Sequence, residues 1–172
     1  MTVRRFLRKL FPTRVAPDET VKSILIVDDD EGLRDSLKDI LEEEGYEVHC
    51  ASSRAEASKI ARVTFPWVAV VDLKLPDGAG TALLTDLKNI KPDCVCMLMT
   101  AYADVDSAVM ALEKGAFYYL RKPVKPAELV ELVDLAFETI RLKKEKEKAE
   151  DSLRSRNQEL EEIIARLKKI ID

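Results

Sequence analysis

The sequence predicts a doubly wound parallel α/β sheet, (βα)5 in pattern, on three observations. Solid apolar runs of four or five residues stop abruptly at polar residues, amphipathic stretches at helical spacing lie between them, and Gly, Pro, Ser or Asp marks the junctions. A continuous β-branched run without alternation is the mark of a strand buried on both faces, as parallel sheets require. Strands that alternate with helices place those helices on both faces of one sheet.

The elements follow in order from Ser23. Ser23 to Val27 is a strand ending in Asp28-Asp29-Asp30. Leu33, Leu37, Ile40 and Leu41 recur at helical spacing, with Asp30 as N-cap and Gly45 just past the end. Tyr46 to Ala51 is a weaker strand, followed by a helix with Ala55, Ala57, Ile60 and Ala61 inward and Ser52 or Ser53 as cap. Trp67 to Val71 is the third strand; it stops at Asp72, and Pro76 and Gly78 then turn the chain. Leu83, Leu84 and Leu87 face inward on a helix that ends before Pro92. Val95 to Met99 is the fourth strand, ending at Thr100, and Asp104 caps a helix with Val105, Ala108, Val109 and Leu112 inward, closed by Gly115. Phe117 to Leu120 is the fifth strand, ending in Arg121-Lys122-Pro123. Pro126 opens the last helix as an N1 proline, with Leu129, Leu132, Val133, Ala136, Phe137 and Ile140 inward.

Right-handed crossovers and the flavodoxin-like strand order 2-1-3-4-5 set strands 1 and 3 side by side. That order brings Asp28, Asp29 and Asp72 to one rim at the topological switch point, with Thr100 and Lys122 bordering the same crevice. Taken alone, Asp72 is equally a turn-initiating Asp; its neighbours decide the matter.

Both ends differ from this unit. Residues 1–22 form a basic extension in which Val3, Phe6, Leu7, Leu10 and Phe11 share one helical face and Arg4, Arg5, Arg8 and Lys9 the other. Residues 1–11 suit a membrane surface or a docking partner, or equally an unstructured tail, since an isolated helix this short is marginal. The unit itself covers 23–141. In 142–172 the composition turns to Lys and Glu, with opposite charges four apart at Arg141/Glu145, Lys143/Glu147 and Lys146/Glu150. A segment polar all round is expected to span solvent. Leu153, Leu160 and Leu167 then recur every seven residues, with Asn157, Ile164 and Ile171 at the complementary positions. Leu at d, Ile at a and one Asn at a favour a parallel two-stranded coiled coil, so the last helix is expected to extend into a coil that makes a homodimer through residues 150–172. A second frame puts the leucines at a and Ile163 and Ile170 at d, at the cost of Arg156 in the seam; a lone solvated helix is the third possibility.

Composition excludes several classes. The formal charge of -4 over 172 residues argues against a general nucleic-acid binder, whose footprint is basic. Nothing approaches the ~18 apolar residues of a membrane span, and the N-terminus lacks a secretory h-region. Cys50, Cys94 and Cys96 are odd in number, form no C-x-x-C, and sit in apolar runs, which suits free thiols in a reducing cytoplasm. His49 is the one histidine and has no ligand-spaced companion.

Three carboxylates on one rim repel each other and call for a cation. Oxygen ligands alone suit a hard ion such as Mg²⁺, and a carboxylate beside it can form an aspartyl-phosphate. Lys122 supplies a fixed ammonium and Thr100 a hydroxyl for a phosphoryl group.

On Val27-Asp28-Asp29-Asp30, Val71-Asp72-Leu73-Lys74-Leu75-Pro76-Asp77-Gly78, Met99-Thr100-Ala101 and Lys122-Pro123, the chain resembles the receiver domain of two-component response regulators, from Ser23 to about Arg141. Gly115 to Leu120 and the Asp104 to Glu113 helix are most similar to receivers of the NtrC/DctD type, which normally precede an ATPase and a DNA-binding domain, both absent from this sequence. The resemblance implies that Asp72 accepts a phosphoryl group from the phosphohistidine of a sensor histidine kinase. It implies Asp29, Asp72 and the backbone carbonyl of Lys74 as direct Mg²⁺ ligands, with Asp28 acting through water. It implies Thr100 and Tyr119 as a switch pair, Lys122 on the phosphoryl group, and a cis bond from Lys122 to Pro123. Lys74 and Tyr102 lie where family members tune dephosphorylation.

The leading expectation is a phosphorylation switch that signals through the dimerising helix and catalyses nothing beyond its own phosphotransfer and dephosphorylation. A constitutive scaffold built on the coil is a competing reading, and so is a fragment cut before an output domain. A haloacid-dehalogenase-type phosphatase would need a second Asp where Lys74 stands.

Overall fold

The computed structural model describes residues 21–101 and 105–171. Expectations for residues 1–20, Tyr102, Asp104 and the side chains of Val105 and Ile171 lie outside the described residues. The chain runs β1 (Ser23–Val27), α1 (Glu31–Glu43), β2 (Glu47–Ala51), α2 (Arg54–Thr64), β3 (Val68–Asp72), β4 (Lys74–Leu75), β5 (Gly78–Ala79), α3 (Gly80–Ile90), β6 (Val95–Thr100), α4 (Val105–Glu113), β7 (Tyr118–Arg121) and α5 (Pro126–Ile171). The central sheet has the order β2-β1-β3-β6-β7, all parallel. β4 and β5 pair only with each other, as a two-residue antiparallel ribbon. Counting the sheet strands alone, the order is the expected 2-1-3-4-5.

Alternate residues of each strand feed two cores. Ile24, Ile26, Val68, Val70, Met97 and Met99 pack with Leu37 and Leu41 of α1 and with Leu129, Val133 and Ala136 of α5. Leu25, Val27, Ala69, Val71, Cys96 and Leu98 face the other way, onto Ala57 and Ala61 of α2, Leu83, Leu84 and Leu87 of α3, and Ala111 of α4. Both faces of β1 and β3 are therefore dry, which is why their sequences do not alternate. Cys94 and Cys96 are buried free thiols with Sγ atoms 3.9 Å apart, and Cys50 is half-buried and free. His49 Nε2 lies 3.0 Å from the Glu47 carboxylate.

The expected inward face of α4 needs correcting. Among the described side chains of α4, Ala111 is the fully buried one, whereas Val109 and Leu112 are 48% and 56% exposed, with Met110 beside them at 55%. The short Ala111 side chain packs into the second core, where hydrophobicity alone favours the bulkier Val109 and Leu112. Smaller shifts occur at β3, which takes in Asp72 and leaves Trp67 just before the strand, and at β7, which is displaced by one residue.

α5 is one helix of 46 residues, about 70 Å long at 1.5 Å per residue. The expected i,i+4 ion pairs form at Arg141–Glu145 (2.9 Å), Lys143–Glu147 (3.9 Å) and Lys146–Glu150 (3.7 Å). The charged segment does not leave the receiver-like unit at once, however. Lys143 Nζ lies 2.5 Å from Asp93 Oδ1 in the turn after α3, and Lys144 Nζ lies 3.8 Å from the ring centroid of Trp67, over which Lys91 also sits. Long side chains thus tie the first turn beyond Arg141 to the base of the sheet. Among the described residues no helix is long and apolar enough to cross a membrane.

Trp67 is the sole tryptophan of the chain and reports on this contact. Lys144→Ala is expected to change the Trp67 emission spectrum while leaving stability within about 0.5 kcal/mol, as for most surface substitutions. An unaltered spectrum would mean that the helix does not rest on Trp67.

Candidate functional site

Asp28, Asp72, Thr100 and Lys122 sit at or just past the carboxyl ends of sheet strands, where open α/β sheets place their chemistry. Asp28 follows β1 directly, and its N–H donates to the Ala51 carbonyl at 3.1 Å. Its Oδ1 accepts from the Asp30 N–H at 3.0 Å, while Asp30 turns to cap α1 by accepting from the Leu33 N–H at 3.0 Å. The three-Asp run therefore divides its labour: Asp28 points inward, Asp29 is exposed at the rim, and Asp30 starts the helix. Asp72 ends β3, and its Oδ1 accepts from the Lys74 N–H at 3.0 Å.

Asp28, Asp29 and Asp72 each offer a carboxylate oxygen within 4.8 Å of the others. Lys122 reaches in from the end of β7, with Nζ 2.6 Å from Asp28 Oδ2 and 2.5 Å from Asp72 Oδ2. Its N–H donates to the Thr100 carbonyl at 2.8 Å, and the following bond to Pro123 is cis, as expected. Thr100 is buried at the end of β6. Tyr119 lies lower on β7, paired in register with Leu98; its ring is half-buried against the α3–α4 core, and its hydroxyl is buried with no hydrogen-bond partner among the described residues.

Desolvation holds the wholly buried Asp28 carboxyl above its ordinary range, against the pull of Lys122 and of the Asp30 N–H. Burial by itself lowers the Lys122 ammonium, but its bonds to Asp28 and Asp72 outweigh this and raise it. Three carboxylates facing one ammonium leave an excess of negative charge, carried by oxygen donors alone. That donor set fits a small divalent cation.

Several supporting residues carried no functional signal in the sequence. An ideal Cβ on Gly80 would stand 2.1 Å from the carbonyl oxygen of Asp72, so only glycine allows α3 to start this close to the site. Asp77, quoted in the sequence only within the motif that carries the receiver resemblance, accepts from the N–H groups of Arg54 (2.8 Å) and Ala55 (2.9 Å) at the free start of α2. These two donors, Ala55 first, hold its carboxyl below the ordinary range. Arg54 in turn grips Asp86 of α3 through two bonds, at 2.7 and 3.2 Å. The loop after Asp72 is thus fixed to both flanking helices.

Residues 24–134 match the response regulator receiver domain. The chain belongs to that family. It is 39% identical over 108 residues to the photosynthetic apparatus regulatory protein RegA of Cereibacter sphaeroides, a match covering 63% of this chain and 59% of RegA. Its fold is similar to that of the beryllofluoride-activated NtrC4 receiver domain dimer, with TM-score 0.67 and 38% identity over 70% of this chain and 99% of that one. It is also similar to a response regulator from Burkholderia pseudomallei determined with a phosphorylated aspartic acid, a calcium ion and citrate (TM-score 0.63, 33% identity, 69% and 70% coverage). The receiver therefore spans part of the length of its curated relative, and α5 runs well past the matched region.

Two predictions concern this scaffold. Gly80→Ala is expected to cost about 1–3 kcal/mol in urea denaturation, as overpacked sites do, and to displace Asp72. Asp77→Asn is expected to destabilise the fold at neutral pH. A lowered folded-state pKa contributes stability above the ordinary Asp value of about 3.9 that is lost as pH falls through the folded value. The gap in melting temperature between the variant and the parent should therefore close below about pH 4; a gap independent of pH would contradict the assigned role.

Proposed function

We propose that the chain is a phosphoacceptor switch of a two-component phosphorelay, loaded at Asp72 by a sensor histidine kinase and read out through α5. The observation that carries this reading is the meeting of Asp28, Asp29 and Asp72 within 4.8 Å, with Lys122 Nζ 2.5 Å from Asp72.

Asp72 Oδ attacks the phosphorus of a phosphohistidine in line, an O–P bond forms, and the N–P bond breaks with its electron pair staying on the imidazole. Asp29, Asp72 and the Lys74 carbonyl are the residues that would hold Mg²⁺ directly, with Asp28 acting through water. Bound there, the ion neutralises charge on the phosphoryl oxygens. Lys122, already beside Asp72, contacts a phosphoryl oxygen, and the Thr100 hydroxyl donates to another. Tyr119, whose buried hydroxyl has no partner among the described residues, follows Thr100 as the second half of the switch. The protein catalyses this loading and its own dephosphorylation and no other reaction.

The output passes along α5 into a parallel homodimeric coil through residues 150–172, so the charge gained at Asp72 biases a helix pair with two arrangements. The working units are the basic extension 1–22, the receiver 23–141 and the coil segment 142–172, acting in the cytoplasm and without nucleic-acid contact by this chain.

Incubation with acetyl phosphate and Mg²⁺ tests the reading by intact mass. The parent is expected to gain one acid-labile phosphoryl group that chelation of Mg²⁺ prevents, and Asp72→Asn is expected to gain none. A parent that gains no mass would instead be a scaffold.

A further inference from the structure

A groove of about 720 Å³ lies beside α5, at the end of the sheet opposite the rim that carries Asp72. Its floor is apolar: Trp67 and Ile140 are buried and Phe137 is half-buried, while Leu135, 51% exposed, belongs to its wall. Phe137 stacks on Tyr46 with ring centroids 5.2 Å apart, and Asp134 accepts from the Tyr46 hydroxyl. Two cations of the lining are already engaged. Arg141 pairs with Glu138 and Glu145, and Lys144 sits over Trp67. Glu131 and Asp134 are the other carboxylates of the lining, and both are exposed.

The basic extension leaves the receiver at this groove. Val21 and Lys22 belong to the lining, and Lys22 Nζ lies 5.4 and 5.5 Å from the ring centroids of Tyr46 and Phe137. The Lys22 carbonyl accepts from the Glu47 N–H at 3.0 Å, which fixes the point of departure. Residues 1–22 hold six basic and two acidic side chains, so of the chain's net -4 the other 150 residues carry -8.

We propose that residues 3–11 dock in this groove of their own chain. Val3, Phe6, Leu7, Leu10 and Phe11 cover Trp67, Phe137 and Leu135, and Arg4, Arg5, Arg8 and Lys9 meet Glu131 and Asp134. Reach is sufficient: the ten residue steps from Phe11 to Val21 span up to about 33 Å, whereas Glu131 to Lys144 covers about 20 Å of helix. The short tether also holds the extension at high effective concentration, so weak contacts suffice. Docked, the extension is a strap from β1 to α5 that shields Leu135 and withholds its own apolar face from a membrane surface. The strap leaves residues 150–172 uncovered, and it does not depend on the phosphoacceptor reading.

Cross-linking in the full chain tests the strap. Leu7→Cys is combined with Leu135→Cys in a chain carrying Cys50→Ala, since Cys94 and Cys96 are fully buried. The control combines Leu7→Cys with Val63→Cys, a site 74% exposed near the end of α2, on the other face of the sheet. A short bismaleimide is expected to join 7 to 135 within one chain roughly fivefold faster than 7 to 63, as read by intact mass and peptide mapping. Equal rates would describe a loose tail and overturn the docking, and a link between two chains would overturn it by placing the segment on a second copy. Arg5→Glu with Arg8→Glu is expected to slow linking at 135 roughly fivefold, with circular dichroism unchanged; an unaffected rate would contradict the charge pairing. No link at 135, together with sedimentation on phosphatidylglycerol vesicles, would overturn the proposal and assign the extension to a membrane surface.

Discussion

Two carboxylates at the ends of adjacent strands repel, and Asp28 is wholly buried, where such repulsion is weakly screened. The Lys122 ammonium, 2.6 Å from Asp28 and 2.5 Å from Asp72, is what lets both occupy the rim. Removing one member of such a set leaves the others buried and uncompensated, which is why these groups function only together. The rest of the fold serves this meeting. The order β2-β1-β3-β6-β7 makes Asp28 and Asp72 neighbours and delivers Lys122 from two strands away. Gly80 lets α3 begin against the Asp72 carbonyl, and Asp77 and Arg54 pin the intervening loop to α2 and α3.

Much of this was legible in the residue order. Unbroken apolar runs ending in Asp28, Asp72, Thr100 and Lys122 give the strands, the parallel topology and the chemistry of the rim, because buried parallel strands leave a strong compositional trace. Contacts between elements leave none. Gly80 is an unremarkable glycine until its missing Cβ is seen to face a carbonyl, and Asp77 is one letter of a motif until the start of α2 is placed beside it. α4 was misread for a related reason: hydrophobicity favours Val109 and Leu112, but close packing against the sheet selects Ala111. Lys143 and Lys144 belong to a run whose charges pair along the helix, so their second attachments to Asp93 and Trp67 could not be read from spacing.

The helix that closes the receiver is also the one that leaves it. α5 contributes Leu129, Val133 and Ala136 to the core, rests on Trp67 through Lys144, and continues unbroken to Ile171. Under the proposed function, a change of charge at Asp72 would act on an element that runs without a break from the receiver core into the segment 142–172. In this account the receiver changes the geometry of the paired helices.

The most direct test is the distance between spin labels on the two copies at position 153, measured with and without beryllofluoride and Mg²⁺. The account predicts a shifted distance distribution in the parent and none in Asp72→Asn. An identical distribution in the parent under both conditions would contradict the coupling of Asp72 to the helix pair.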